Sequence, residues 1–109
     1  MNDRDRNIVL ELKKRLPGDV IAHLRRVVAF GSRIRGGEEE DSDLDLLILV
    51  DRKTPELEAK IEDIAYQVMW EHDFKPIISM KIFTESDYLN LLVEGFSFYK
   101  NIEREGVSL

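Results

Sequence analysis

Asp43 and Asp45 stand one residue apart at the head of an apolar run made of Leu44, Leu46, Leu47, Ile48, Leu49 and Val50. Such a run suits a central strand covered on both faces. On a strand, residues two apart project from the same face, so the two carboxylates lie side by side, roughly 7 Å apart along the chain. Like charges at that spacing repel, and one carboxyl is pushed toward its protonated form unless a cation or good hydrogen bonding holds both ionised. A hard divalent cation such as Mg2+ takes carboxylate oxygens together with substrate phosphates, which makes Asp-x-Asp at a strand start half of a metal site. The same residues also fit a solvated strand end, with Ser42 and Asp43 closing a turn.

Upstream, Val27 to Phe30 reads as a short strand running into Gly31-Ser32. Gly31 allows a sharp turn or the close approach of a ligand to the backbone. Ser32 to Arg35 is then expected to begin a short helix whose free N–H groups and dipole face an anion. The alternative is an ordinary strand-to-helix turn with Ser32 as N-cap. Between this turn and the aspartates lies Gly36 to Asp41, GGEEED, a connection that is either a lid or a solvated loop.

Together, Gly31-Ser32, ten intervening residues and Asp43-Leu44-Asp45 resemble the signature of the nucleotidyltransferase superfamily that includes DNA polymerase beta. The flanking Arg33, Arg35 and Gly36, and the run Ser42-Asp43-Leu44-Asp45-Leu46, look like its small stand-alone branch, the minimal nucleotidyltransferases, across the whole chain. The resemblance implies a palm-like fold, with Asp43 and Asp45 as catalytic Mg2+ ligands. Gly31, Ser32, Arg33, Arg35 and Lys81 are then the nucleotide-binding set. It further implies a nucleoside triphosphate substrate, with ATP expected, and a HEPN-domain partner protein in a toxin-antitoxin pair, with a hydroxyl on that partner as acceptor. Active members place a third carboxylate on a neighbouring strand. Here that strand, Ile77 to Phe83, offers Ser79 and Lys81 instead. A second reading follows: a nucleotide-binding module that neutralises its partner by contact alone.

These residues need positioning by a scaffold of 109 residues, a length that predicts one domain over 1–109 and excludes a polymerase with fingers and template grip. There is no cysteine and there are two histidines, so neither a disulfide framework nor a His/Cys zinc site is expected. No signal peptide or membrane-spanning run is visible, which makes the cytoplasm the expected location. The net charge of −6 is uneven: residues 1–36 hold nine Lys/Arg against four Asp/Glu, and residues 37–109 hold seven against eighteen. Nucleic acid is therefore not the expected main ligand, whereas a small anion at the basic Gly-Ser turn is.

Apolar spacing predicts a helix over Asn2 to Leu16, ended by Pro17-Gly18, and a helical turn over Asp19 to Leu24. Thr54-Pro55 caps a long helix to Glu71 whose stripe is Leu57, Ile61, Ile64, Ala65, Val68 and Met69, while Trp70 either extends that face or marks a partner surface. Thr84-Glu85-Ser86-Asp87 caps a helix over Asp87 to Glu94 with Tyr88, Leu91 and Leu92 inward. A last short helix covers Phe96 to Glu105, and Gly106 releases the C-terminus. The expected class is α/β (α+β), a small mixed sheet packed by helices.

Overall fold

In the computed structural model, which describes residues 1–36 and 41–109, the central strand is the apolar run itself. Strand β2 (Leu44–Val50) is buried along its whole length except at Asp45. Each fully buried aliphatic side chain contributes about 1.5–3 kcal/mol relative to an exposed one. The strand that carries Asp45 is thus the most firmly anchored element of the molecule.

Around it the sheet has the order β3-β2-β1-β4, with β1 (Leu24–Phe30) antiparallel to β2, β3 (Ile78–Thr84) parallel to β2, and β4 (Val107–Ser108) antiparallel to β1. The parallel pair needs a crossover, which is helix α3 (Pro55–Glu71). Thr54 caps α3 by accepting a hydrogen bond from the Leu57 N–H at 3.1 Å. One face of the sheet, with Leu44, Leu46, Ile48 and Val50, packs on α3 and on α1 (Asp3–Arg15) through Ile8, Leu12, Ile61 and Val68. On the other face, Val28, Phe30, Leu47 and Leu49 meet Tyr88 of α4 (Glu85–Val93) and Ile102 of α5 (Ser97–Glu105). A four-residue helix, α2 (Gly18–Ile21), connects α1 to β1. The expected mixed sheet covered by helices is the architecture observed.

Three expectations need correction. No helix begins at Ser32: residues 32–36 form turns, and the Ile34 N–H bonds back to the Gly31 carbonyl at 3.1 Å. Ile34 is buried in the core and Gly36 takes a φ of 81°, so the segment is tied at its centre and redirected before a helical turn can propagate. Strand β1 starts at Leu24 rather than Val27, because Arg25 and Arg26 pair with carboxylates at the sheet margin, Arg25 with Asp51 at 2.9 Å and Arg26 with Glu103 at 3.0 Å. Finally, the chain is not released at Gly106. Val107 and Ser108 add a strand opposite Ala29 and Val28, and the Leu109 N–H donates to the Val27 carbonyl at 2.9 Å. The loop expected over Gly36 to Asp41 falls largely on residues 37–40, outside the described residues. The apolar end of α3 carries Trp70 and Tyr66 exposed, with Phe74 in edge contact with both rings.

Candidate functional site

Gly31 ends β1 at the point where Phe30 pairs with Asp45 across the ladder. Its φ is 90°, and a Cβ placed there would stand 2.5 Å from Asp45 Oδ2. Only glycine lets the turn and the carboxylate share this space. The two motifs that lie apart in sequence are therefore in van der Waals contact, and the Asp45 carboxylate rests against the turn backbone.

Asp43 precedes β2 and is exposed, while Asp45 is half-buried. Burial, then the nearby Asp43 charge, raises the Asp45 carboxyl above the ordinary aspartate range, and Lys81 offsets part of this. The strand register explains the arrangement: Ser79 is the lateral neighbour of Asp45 and Lys81 that of Leu47, so both share the sheet face of Asp45. The Lys81 ammonium lies 5.7 Å from the centroid of the Phe98 ring.

A cleft of ≈ 330 Å³ opens beside Asp45, with Gly31, Ser32 and Arg35 on the turn side and Phe98, Asn101 and Glu105 on the helix side. Phe30, Ile34 and Ile102 line its inner part. Arg35 is mostly exposed and its guanidinium lies 3.6 Å from Glu105, which links the two walls.

Arg33 is not in this cleft. Its guanidinium grips Asp5 with two bonds of 2.9 and 3.0 Å and donates to the Ser42 carbonyl at 3.1 Å. Asp5 has no exposed surface and the Arg33 side chain is 9% exposed, so this is a buried, bidentate ion pair. It clamps α1 to the turn and to the segment that leads into Asp43. Arg33, expected to meet nucleotide, is engaged by these contacts and lines a separate groove that it shares with Arg4 and Lys75.

Helix α5 was legible as a last short helix rich in aromatics, not as a wall of the cleft. Its placement comes from contacts distant in sequence. The buried Tyr88 hydroxyl donates to Glu103 at 2.7 Å, and Glu103 accepts from Arg26 at 3.0 and 3.1 Å. Arg26 first, then Tyr88, holds the Glu103 carboxyl below its ordinary range, while burial and Glu103 push the Tyr88 phenol up. Phe98 packs edge-on against Phe30 with centroids 5.9 Å apart. Lys13 Nζ donates to the Leu109 carbonyl at 2.6 Å and fastens the end of the described chain to α1.

Among the described residues no group of three or more Asp, Glu, His or Cys could hold a metal ion. Asp43 and Asp45 supply two neighbouring carboxylates, of which Asp45 borders the turn. Among the same residues no helix is long and apolar enough to cross a membrane.

Comparison with known proteins agrees with this fold. A family profile described as nucleotidyltransferase domain matches residues 6–106. A Methanocaldococcus jannaschii chain carrying the provisional name protein adenylyltransferase is 38% identical over 78 residues, which cover 68% of this chain and 78% of that protein. Among solved structures, a chain of a mutant toxin-antitoxin MntA-HpeT superimposes with a TM-score of 0.52 at 16% identity, over 100% of this chain and 72% of that one.

Proposed function

This chain belongs to the nucleotidyltransferase domain family and is a nucleotidyltransferase, and from that premise we propose that it transfers the adenylyl group of Mg-ATP to a hydroxyl on a partner protein. The observation that supports the reading is the contact of Gly31 with Asp45, which sets the Gly-Ser turn directly beside a carboxylate. In this reading residues 1–109 act as one unit. Gly31, Ser32, Arg35 and Lys81 meet the phosphates, and Asp43 and Asp45 hold Mg2+.

The donor set fits that ion. Mg2+ binds through one or two carboxylates and completes its shell with phosphate oxygens and water, so it needs no third acid from the protein. When bound it neutralises charge on the phosphates. The chain's own residues do the rest. Arg35 on the cleft wall and Lys81 on the neighbouring strand are the cations that orient the triphosphate and favour departure of pyrophosphate, Arg35 as a planar fork and Lys81 as a point charge. Gly31 leaves room for the Asp45 carboxylate against the turn backbone.

A protein acceptor is supported by the name of the M. jannaschii relative, and a two-protein setting by the MntA-HpeT neighbour. We infer a HEPN-type partner encoded with this chain and an antitoxin role. The alternative, contact-only neutralisation, is favoured by one observation: the β3 face beside Asp45 presents Ser79 and Lys81, with no carboxylate to take the acceptor proton. The test is to incubate the full chain with ATP labelled at the α-phosphate, Mg2+ and the protein of the adjacent gene. Intact mass is then measured on both chains. An adenylyl adduct on the partner that vanishes in Asp45→Asn supports transfer. Asp45-dependent ATP binding with no adduct on either chain supports the contact-only module.

A further inference from the structure

The cleft has two chemically different halves, and nucleoside triphosphates have the same two. Gly31, Ser32 and Arg35 form one end, whereas the helix side is Phe98, Asn101 and Ile102, with Glu105 next to Arg35 where the two sides meet. With phosphates at the turn, the base falls against α5. We propose that α5 is the nucleobase wall, with Asn101 reading the amino edge of adenine and Phe98 and Ile102 covering the ring. This deepens the nucleotidyltransferase reading and rests on it.

The spacing is that of one helix face. Phe98, Asn101, Ile102 and Glu105 stand at i, i+3, i+4 and i+7, so they project into the cleft together. The face is held rather than free. Ile102 is buried, Tyr88 and Arg26 fix the opposite side of the helix through Glu103, and Phe98 is set by Phe30, by Tyr99 and by Lys81. A ≈ 330 Å³ space falls within the range of small-ligand sites, which combine apolar walls with a few placed polar groups.

Asn101 is the neutral polar side chain of this face. Arg104 Nη2 donates to its Oδ1 at 2.8 Å, which orients the amide. The Nδ2 group keeps its two N–H donors, and Oδ1 keeps a second lone pair. An amide thus presents a donor beside an acceptor. Adenine answers with a ring nitrogen that accepts and an amino group that donates, the pairing asparagine makes with this base elsewhere. A keto purine sets an oxygen where the amino group would be, opposite Oδ1, and one of the two hydrogen bonds becomes a repulsion. Glu105, one turn on, is engaged by Arg35 at 3.6 Å and by Arg104 at 3.5 Å.

The experiment uses the full chain with Mg2+ and three probes in calorimetry: ATP, inosine triphosphate (identical except for the keto oxygen) and inorganic tripolyphosphate, which has no base. Wild type is expected to prefer ATP over inosine triphosphate by about fivefold or more. In Asn101→Ala the ratio should fall to within about twofold while tripolyphosphate affinity is unchanged. Phe98→Ala should weaken ATP and inosine triphosphate alike and leave tripolyphosphate alone. Asn101 is exposed, so its truncation is not expected to disturb folding. A wild-type ratio near one, or a ratio that survives Asn101→Ala while ATP binding still requires Asp45, overturns the α5 assignment alone. ATP binding that is indifferent to Asp45→Asn overturns the site reading beneath it.

Discussion

Replacing Arg33 by alanine separates a structural arginine from a ligand-binding one. The change deletes both bonds to Asp5 and the bond to the Ser42 carbonyl, and leaves the fully buried Asp5 carboxylate without its partner. Removing one member of a buried pair costs about 3–5 kcal/mol, because the remaining charge stays desolvated. A domain of this size has about 5–15 kcal/mol of total stability. At about 4 °C of melting temperature per kcal/mol, the expected fall is about 12–20 °C. Thermal melts followed by circular dichroism measure the fall, and urea unfolding gives the free-energy loss, with the slope checked for two-state behaviour. The double variant Asp5→Leu/Arg33→Met should recover most of the loss, since well-packed apolar replacements of a buried pair are near neutral. It should also bind ATP as wild type does. A single-variant loss below about 1 kcal/mol, or normal stability with lost ATP affinity in the double variant, would refute the clamp and return Arg33 to the nucleotide.

Asp45→Asn should abolish Mg2+-dependent ATP binding and, in chelator, stabilise the fold. The folded-state carboxyl of Asp45 is raised, so its charged form is disfavoured by folding. Wild type and variant should match below the ordinary aspartate range and diverge as pH rises through it, with the variant more stable at neutrality. Thermal melts across pH check this, and a less stable variant at neutral pH would refute it. Gly31→Ala should cost about 1–3 kcal/mol, from the φ of 90° and from the 2.5 Å approach of the new Cβ to Asp45 Oδ2, and should lose ATP binding as Asp45 is displaced. Denaturant midpoints and calorimetry on one preparation report both. Ser79→Asp, beside Asp45 in the register, should tighten Mg2+ binding by adding a third oxygen donor, and Lys81→Asp should do so less cleanly because it also removes a cation from the phosphates. Unchanged metal affinity in both would show that this face does not border the metal.

What the sequence disclosed, and what it hid, follows the range of the forces involved. Periodicity and capping are local, so the Leu44 to Val50 strand, the Pro55 to Glu71 helix and the Thr54 and Thr84 caps were readable in place. That Asp43 and Asp45 share one face of their strand, and Ser79 and Lys81 one face of theirs, followed from the two-residue period of strands, while the family resemblance implied that the two strands are neighbours. Pairings between distant residues left no local mark. Asp5 lies 28 positions from Arg33 and reads as an ordinary first-turn acid of a helix. The Ser32 helix failed because Ile34 is claimed by the core. Strand β4 is two residues long, too short for alternation to register. Phe98 and Asn101 look like any amphipathic face until Tyr88, Arg26 and the closing strand place them beside Asp45.

The helix that walls the cleft also bears on the order in which the site is made during synthesis. The Gly-Ser turn and both aspartates lie in the first half of the chain, yet the opposite wall of the cleft is Ser97–Glu105, held through Glu103 to Tyr88 and Arg26 and through Phe98 to Phe30. Chains emerge from the ribosome N-terminus first. A growing polypeptide thus displays its carboxylates well before the helix that walls the cleft has been made.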